Sequence, residues 1–260
     1  MQIYKIGGNE LSDPGFVSTL AHTVAKLKEK TLEPVIIVHG GGRAIAGLQA
    51  QLGLETVKVD GLRVTDLESL SVAQMVLSGH SNKLVVKALL AEGLDALGLS
   101  GVDGALLRCQ KKQHPHVDLG YVGEVLHVRT QLLQRFIAMD IITVLSPISL
   151  GVDGLTYNVN ADEAASAVAL AMEANRLDFV SNVPGVLLNG SIIPHLSPTK
   201  AHQLIADGKI SGGMIPKVRA ALDAVQMGVQ QARIVDLAGL AEAGGTNFTA
   251  STITGKAVES

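Results

Sequence analysis

A single cysteine, Cys109, stands among the 260 residues, which excludes an internal disulfide and a cysteine-rich zinc site. Charge is sparse as well. Charged residues make up 17% of the chain and leave a net charge of -3, so no basic surface is offered to nucleic acid. No apolar run approaches the roughly 18 residues needed to span a bilayer. The longest, Ala164–Met172, reads as a buried helix. The start, MQIYKIGG, lacks the basic and apolar regions of a signal peptide. Repeats, low-complexity tracts and linkers are missing too. What remains, at 47% hydrophobic, is too apolar for disorder. These absences fit a soluble cytoplasmic protein with one large α/β domain, or two lobes sharing a core.

Strand and helix patterns alternate from the first residues. QIYKI closes on Gly7-Gly8. The next helix opens with Ser12, Asp13 and Pro14 and carries Phe16, Val17, Leu20, Val24 and Leu27 on one face. Pro34–Val38 is a continuous apolar run, as expected for a strand buried on both faces of a parallel sheet. A helix with Ile45, Leu48 and Leu52 follows. Helices are expected over Asp66–Ser78, Ser81–Glu92, Thr130–Met139, Asn160–Glu173 and Met214–Met227. Strands are expected at Ala96–Gly101, at IITVLSP, and over Asp178–Val183 and Ala232–Leu237. This alternation predicts a doubly wound, mostly parallel sheet with helices on both faces. Residues 102–128 break the pattern and suggest a hairpin-like excursion.

Two glycine-rich turns, Gly7-Gly8 and Gly40-Gly41-Gly42, fall where strands meet helices. There bare backbone N–H groups attract anions. Neither is a Walker loop, and no G-x-G-x-x-G fingerprint is present. Lys5, two residues before Gly7, is expensive in a central strand unless it faces an anion. A frayed edge strand is the plain alternative. Lys217 follows a glycine pair at a helix start. Asn158, Asn160 and Asp162 crowd another helix start, and capping accounts for one of the three. Arg63 precedes a helix cap, where a guanidinium could fork onto a carboxylate. His114 and His116 read as part of a polar loop, Cys109 as structural, and no metal site is expected from side chains alone.

KIGG, VHGGG, GLRVTD, NVNADEAA, SNVPGV and SGGMIPKV stand in the order and spacing of the amino acid kinase family, which the chain resembles over residues 3–250. The resemblance implies a three-layer α/β/α sandwich with a mostly parallel central sheet. It also implies ATP-dependent phosphorylation of the side-chain carboxylate of N-acetyl-L-glutamate in arginine biosynthesis, with Mg2+ accompanying ATP. Lys5 and Lys217 would neutralise the transferring phosphoryl group, and Asp162 would orient both lysines. Gly8 and Gly41 would bind phosphoryl oxygens. Gly41, Gly42, Arg63 and Asn158 would hold the acceptor, with Arg63 on its α-carboxylate. Ser181, Asn182, Val183, Pro184, Gly185 and Val186, with Lys209, Ile210 and Ser211, would line the nucleotide site. Asn182 departs from the aspartate of many relatives.

The same resemblance implies one kinase domain over residues 1–260. Residues 1–175 would serve the acyl amino acid and dimerisation, residues 176–250 mainly the nucleotide, and residues 251–260 would form a disordered tail. The first strand begins by Gln2 or Ile3, without the extra helix of arginine-inhibited members. The expectation is therefore a homodimer insensitive to arginine. Two rival readings are a kinase acting on carrier-protein-linked aminoadipate or glutamate, and a silent amino-acid sensor. The first calls for basic residues at the acceptor mouth, where Lys111 and Lys112 are the candidates. Retention of Lys5, Lys217 and Asp162 speaks against the second.

Overall fold

The computed structural model describes residues 1–249, and the expectation for the tail, residues 251–260, lies outside the described residues. The chain opens with β1 (Gln2–Ile6), α1 (Pro14–Thr31), β2 (Val35–His39) and α2 (Gly42–Gln51). Asp13 caps α1 by accepting from the Gly15 amide at 2.9 Å, with Pro14 at the first helical position. A small hairpin follows, β3 (Lys58–Val59) and β4 (Leu62–Arg63). Next come α3 (Leu67–Gln74), a π-helical turn (Met75–Ser81) and α4 (Asn82–Ala91), without a break. The two helices expected here are therefore joined. The wide turn carries Gly79, and its Ser78 hydroxyl pairs with that of Ser146 at 2.8 Å.

Beyond α4 lie β5 (Ala96–Ser100), β6 (Leu107–Lys111), β7 (Val122–Val128), α5 (Thr130–Ala138) and β8 (Ile142–Ser146). Two strands that the sequence pattern does not announce, β9 (Ile148–Gly151) and β10 (Thr156–Val159), precede α6 (Ala161–Ala171) and β11 (Arg176–Val180). The last part holds β12 (Leu187–Leu188), β13 (Ser191–Ile192), α7 (Pro198–Ala206), α8 (Met214–Gln226), β14 (Gln231–Val235), α9 (Leu237–Glu242) and β15 (Thr246–Thr249). The strand expected over Asp178–Val183 starts two residues earlier and stops at Val180, so Ser181 and Asn182 belong to the loop beyond it.

Seven strands form the main sheet in the order β15-β14-β11-β1-β2-β8-β5. All neighbours are parallel except β15, which runs antiparallel to β14. The hairpin expected within residues 102–128 is β6 and β7, and it closes with β9 and β10 into a small barrel. On one side of β1 lie β2, β8 and β5, with β8 inserted between β2 and the edge strand β5, and on the other side β11, β14 and β15 follow outward. The strand order reverses between β1 and β11, and ligands in open α/β sheets bind beyond the carboxyl ends of such a pair.

Alternation along β1 decides which face each residue serves. Ile3 joins the buried cluster containing Val168 of α6 and Val218 of α8. Tyr4 and Ile6 face the opposite cluster, with Leu20 of α1 and Leu89 of α4. Lys5, two residues after Ile3, therefore points toward α6 at the carboxyl end of the central strand. The frayed-edge alternative for this lysine is ruled out by that position.

Candidate active site

The two glycine turns are packed against each other. A Cβ on Gly8 would lie 2.5 Å from the Gly42 amide nitrogen, and one on Gly41 would lie 2.7 Å from Leu77 Cδ2. Gly40 donates its amide to the Ile6 carbonyl at 2.9 Å. Nothing lies within 4 Å of a Cβ on Gly42. From sequence, these glycines read either as tight turns chosen for geometry or as backbone left bare for a ligand. The structure separates them: protein crowds Gly41, whereas Gly42 faces open space.

Gly41 stands at the N-cap of α2, and without a side chain it gives no capping hydrogen bond. The first-turn N–H groups of that helix are thus left without a side-chain partner, at the positive end of the helix dipole. Below the turn, His39 is fully buried. Its Nδ1 is 3.0 Å from the Gly40 carbonyl, which accepts only, and its Nε2 is 3.2 Å from Asn82 Nδ2. Asn82 is oriented by the Val144 carbonyl at 2.9 Å and by Lys83 Nζ on its Oδ1 at 2.9 Å. His39 therefore sits as neutral imidazole with its proton on Nδ1. Burial pushes its pKa down to about 4, with the Lys83 charge acting the same way.

A cleft of about 840 Å³ runs along this edge, with Lys5, Gly8, Arg63, Asp162, Asn182 and Lys217 among its walls. Lys5 Nζ lies 2.7 Å from Asp162 Oδ1. This buried oxygen has an ionic partner but no hydrogen bond. Asn160 caps α6, accepting from the amides of Asp162 at 2.7 Å and Glu163 at 3.3 Å. Capping explains Asn160 and leaves Asp162 free for Lys5. Lys217, on the first turns of α8, lies 3.4 Å from Glu10 rather than on Asp162.

Beside the cleft is a smaller cavity of about 180 Å³, bordered by Gly42, Arg63, Leu77, Asn158 and Asp162. Arg63 is held from behind. Its Nη1 donates to Gln49 Oε1 and to Thr56 Oγ1 at 3.0 Å, and its Nη2 donates to the Gly42 carbonyl at 3.1 Å. Gln49 is itself fully buried and donates to Ser69 Oγ at 2.9 Å. Partial burial lowers the Arg63 pKa from its ordinary value, and the group remains a cation. Asn158 on β10 donates to Thr65 Oγ1 at 3.4 Å.

The residues expected to line a nucleotide site divide by exposure. Ser181, Asn182 and Val183 border the cleft. Val186 and Ile210 are buried in the core, so their side chains serve packing. Gly185, at φ +150°, packs against Thr246, whose hydroxyl accepts from the Val186 amide at 2.8 Å. Lys209 keeps an exposed ammonium 3.9 Å from Asp207, and the Ser211 carbonyl accepts from the Met214 amide at 3.2 Å. Pro184 lies in the same loop as Gly185.

Among the described residues no group of three or more His, Cys, Asp or Glu could hold a metal. His114 pairs with Asp60 at 2.9 Å. Cys109 is buried in β6, and burial together with Asp153 pushes its thiol up to about 12. Glu10 and Gln49 are the site residues that sequence reasoning misses, because nothing in the local pattern marks either as buried there.

Glycine turns, paired lysines and an open helix N-terminus meet at the strand-order reversal, an arrangement suited to an anion and of the kind phosphoryl transfer needs. The chain belongs to the amino acid kinase family, whose model matches residues 1–236. A relative from Roseiflexus castenholzii named acetylglutamate kinase is 51% identical over 243 residues, 93% of this chain and 92% of its own length. One of the same name from Acinetobacter baylyi is 43% identical, covering 90% of this chain and 80% of the relative. Among solved structures, smu.665 from Streptococcus mutans matches with a TM-score of 0.78 at 27% identity, over 96% of this chain and 98% of that one. N-acetylglutamate synthase from Neisseria gonorrhoeae shares the fold, with a TM-score of 0.81 at 23% identity over 95% of this chain and 59% of that one.

Proposed function

We propose that the protein transfers the γ-phosphoryl group of ATP to the side-chain carboxylate of N-acetyl-L-glutamate, a step of arginine biosynthesis. The 51% identity to a relative of that activity's name, over nearly the full length of both, carries the reading. The acceptor carboxylate, with an ordinary pKa of about 4.3, is ionised at neutral pH and needs no general base. One of its oxygens forms a bond to the γ-phosphorus, the bond from that phosphorus to the β-γ bridging oxygen breaks, and ADP leaves with the electron pair.

The obstacle is bringing one anion up to another. Lys5 and Lys217 would bear on the charge of the transferring group, and the open first turn of α2 would receive its oxygens. Arg63 would hold the α-carboxylate and Asn158 the acyl group, so that the side chain is presented to the Gly8–Gly42 contact. Ser181–Val183, with Lys209 and Ser211, would receive the nucleotide, and Val186 and Ile210 would pack beneath it. In this reading residues 1–175 serve the acceptor and residues 176–250 mainly ATP.

The donor set fits magnesium carried by phosphate and water. Glu10 and Asp162, the carboxylates lining the cleft, are each paired with a lysine. When bound, the ion would neutralise phosphate charge.

Charge pairing weighs against a carrier-linked acceptor. Lys111 pairs with Asp118 at 2.7 Å and Lys112 with Glu163 at 2.6 Å, which engages the two basic residues expected at the acceptor mouth. No helix among the described residues is long and apolar enough to cross a membrane. A cytoplasmic homodimer completes the reading. The edge strand β5, with exposed Leu97 and the nearby exposed Leu90, is a face that a second copy would cover. ATP-dependent hydroxamate formation from N-acetylglutamate, glutamate, aspartate and N-acetylaminoadipate tests the assignment. Equal turnover of free glutamate would overturn it.

A further inference from the structure

Lys5 and Lys217 have separate carboxylates. Lys5 is paired with Asp162, whereas Lys217 Nζ lies 3.4 Å from Glu10 Oε1. Glu10 opens the short turn Glu10–Ser12, just past Gly7-Gly8, and its side chain is 5% exposed. An ionised carboxylate so far out of water needs a cationic partner. Among the described residues, Lys217 is the one it has. Gly7 makes room for it: a Cβ there would lie 2.1 Å from Glu10 Oε2. Gly7 is not at positive φ, so what glycine gives here is space for the carboxylate where it stands, not conformational freedom.

We propose that Glu10 is a positioning residue for Lys217. This deepens the phosphoryl-transfer reading and rests on it. Lys217 stands in the first turns of α8, near the positive end of that helix dipole, and shares the cleft with the Lys5 ammonium. Both features push its charge away from the site, and its flexible stem could carry it to water. Asp162 is already engaged with Lys5. Glu10 offsets the repulsion and draws the ammonium over the Gly7-Gly8 turn, where the phosphoryl group passes. An ammonium has three protons, so one hydrogen bond to Glu10 leaves two for phosphoryl oxygens. Among the described ion pairs, this is the one that joins the segment before residue 175 to the α8 wall of the cleft.

A double-mutant cycle between Glu10→Gln and Lys217→Met tests the proposal, read in kcat, both KM values and the melting midpoint. Glu10→Gln is expected to lower kcat roughly tenfold with the acceptor KM unchanged. Glu10→Asp, which keeps the charge, recovers part of that loss. In the Lys217→Met background, Glu10→Gln costs less than about twofold more, because the residue it positions is gone. Wild-type kcat in Glu10→Gln overturns the proposal, as does its full loss added on top of that of Lys217→Met. If Glu10→Gln does not fold, Glu10→Ala and Lys217→Met form the cycle with the same criteria. A wild-type protein inactive with every acceptor overturns the functional reading and this proposal together. Additive losses in an active enzyme overturn this proposal alone.

Discussion

Gly8 meets the turn before α2 through backbone alone: a Cβ on Gly8 would stand 2.5 Å from the Gly42 nitrogen and 2.6 Å from that of Gly41. Neither atom can swing aside as a side chain can. Gly8→Ala is therefore expected to destabilise by about 1–3 kcal/mol through overpacking and to abolish most turnover. Gly42→Ala meets open space. It should melt like the wild type and lose acceptor affinity, because the added methyl enters the cavity. Melting curves and acceptor KM for the two variants, side by side, check the contrast.

Lys5 is placed by its strand and by Asp162 rather than by its own flexibility. Lys5→Ala is expected to lower kcat by roughly 10²–10³, the usual loss for one charged transition-state contact, with ATP binding retained. Calorimetry with a non-hydrolysable ATP analogue, beside steady-state kinetics, separates the two effects. Near-normal turnover would remove Lys5 from the mechanism.

Arg63 depends on Gln49, which depends on Ser69. Arg63→Lys should raise the acceptor KM, since an ammonium cannot reproduce a bidentate fork. Gln49→Leu should raise it as well, by roughly tenfold, while leaving the ATP KM unchanged, because Arg63 would lose its anchor without losing charge. A rise confined to ATP would show that Arg63 serves the nucleotide instead.

His39 gives the fold a pH dependence of predictable sign. Its folded pKa is about 4, against about 6.5 unfolded. The unfolded chain thus binds the proton first as pH falls. Stability is full above about pH 6.5 and is lost progressively toward about pH 4, by on the order of 3 kcal/mol. The window from about pH 6.5 to 5 lies above ordinary carboxylate titration. Denaturant midpoints should fall across it in the wild type and flatten in His39→Gln.

Much of this architecture is legible without coordinates. The Asp13-Pro14 helix start, the buried run Val35–Val38 and the 102–128 hairpin all rest on local periodicity and capping, which sequence displays directly. The barrel strands β9 and β10 are hidden because Ile148–Val159 is short and interrupted by Gly151 and Gly154. Its strand character comes from pairing with β6 and β7, not from its own pattern. At the site, glycine and cap signals mark Lys5, Asp162 and Arg63 only weakly one by one, and it is the family resemblance of the whole motif set that implies their roles. Glu10 carries no such signal, because its partner is 207 residues away. Nothing nearby in the chain shows that an acid in a turn will be buried beside Lys217. Burial of a polar group is a tertiary fact.

Helix α2 begins without a cap of its own. A helix end left unfinished is marginal until something accepts its N–H groups. The anion that enters the cleft would supply that missing acceptor, so substrate and first turn would each complete the other. Part of the binding free energy would then appear as local folding, and amide exchange at residues 42–44 would become a gauge of occupancy that requires no turnover at all.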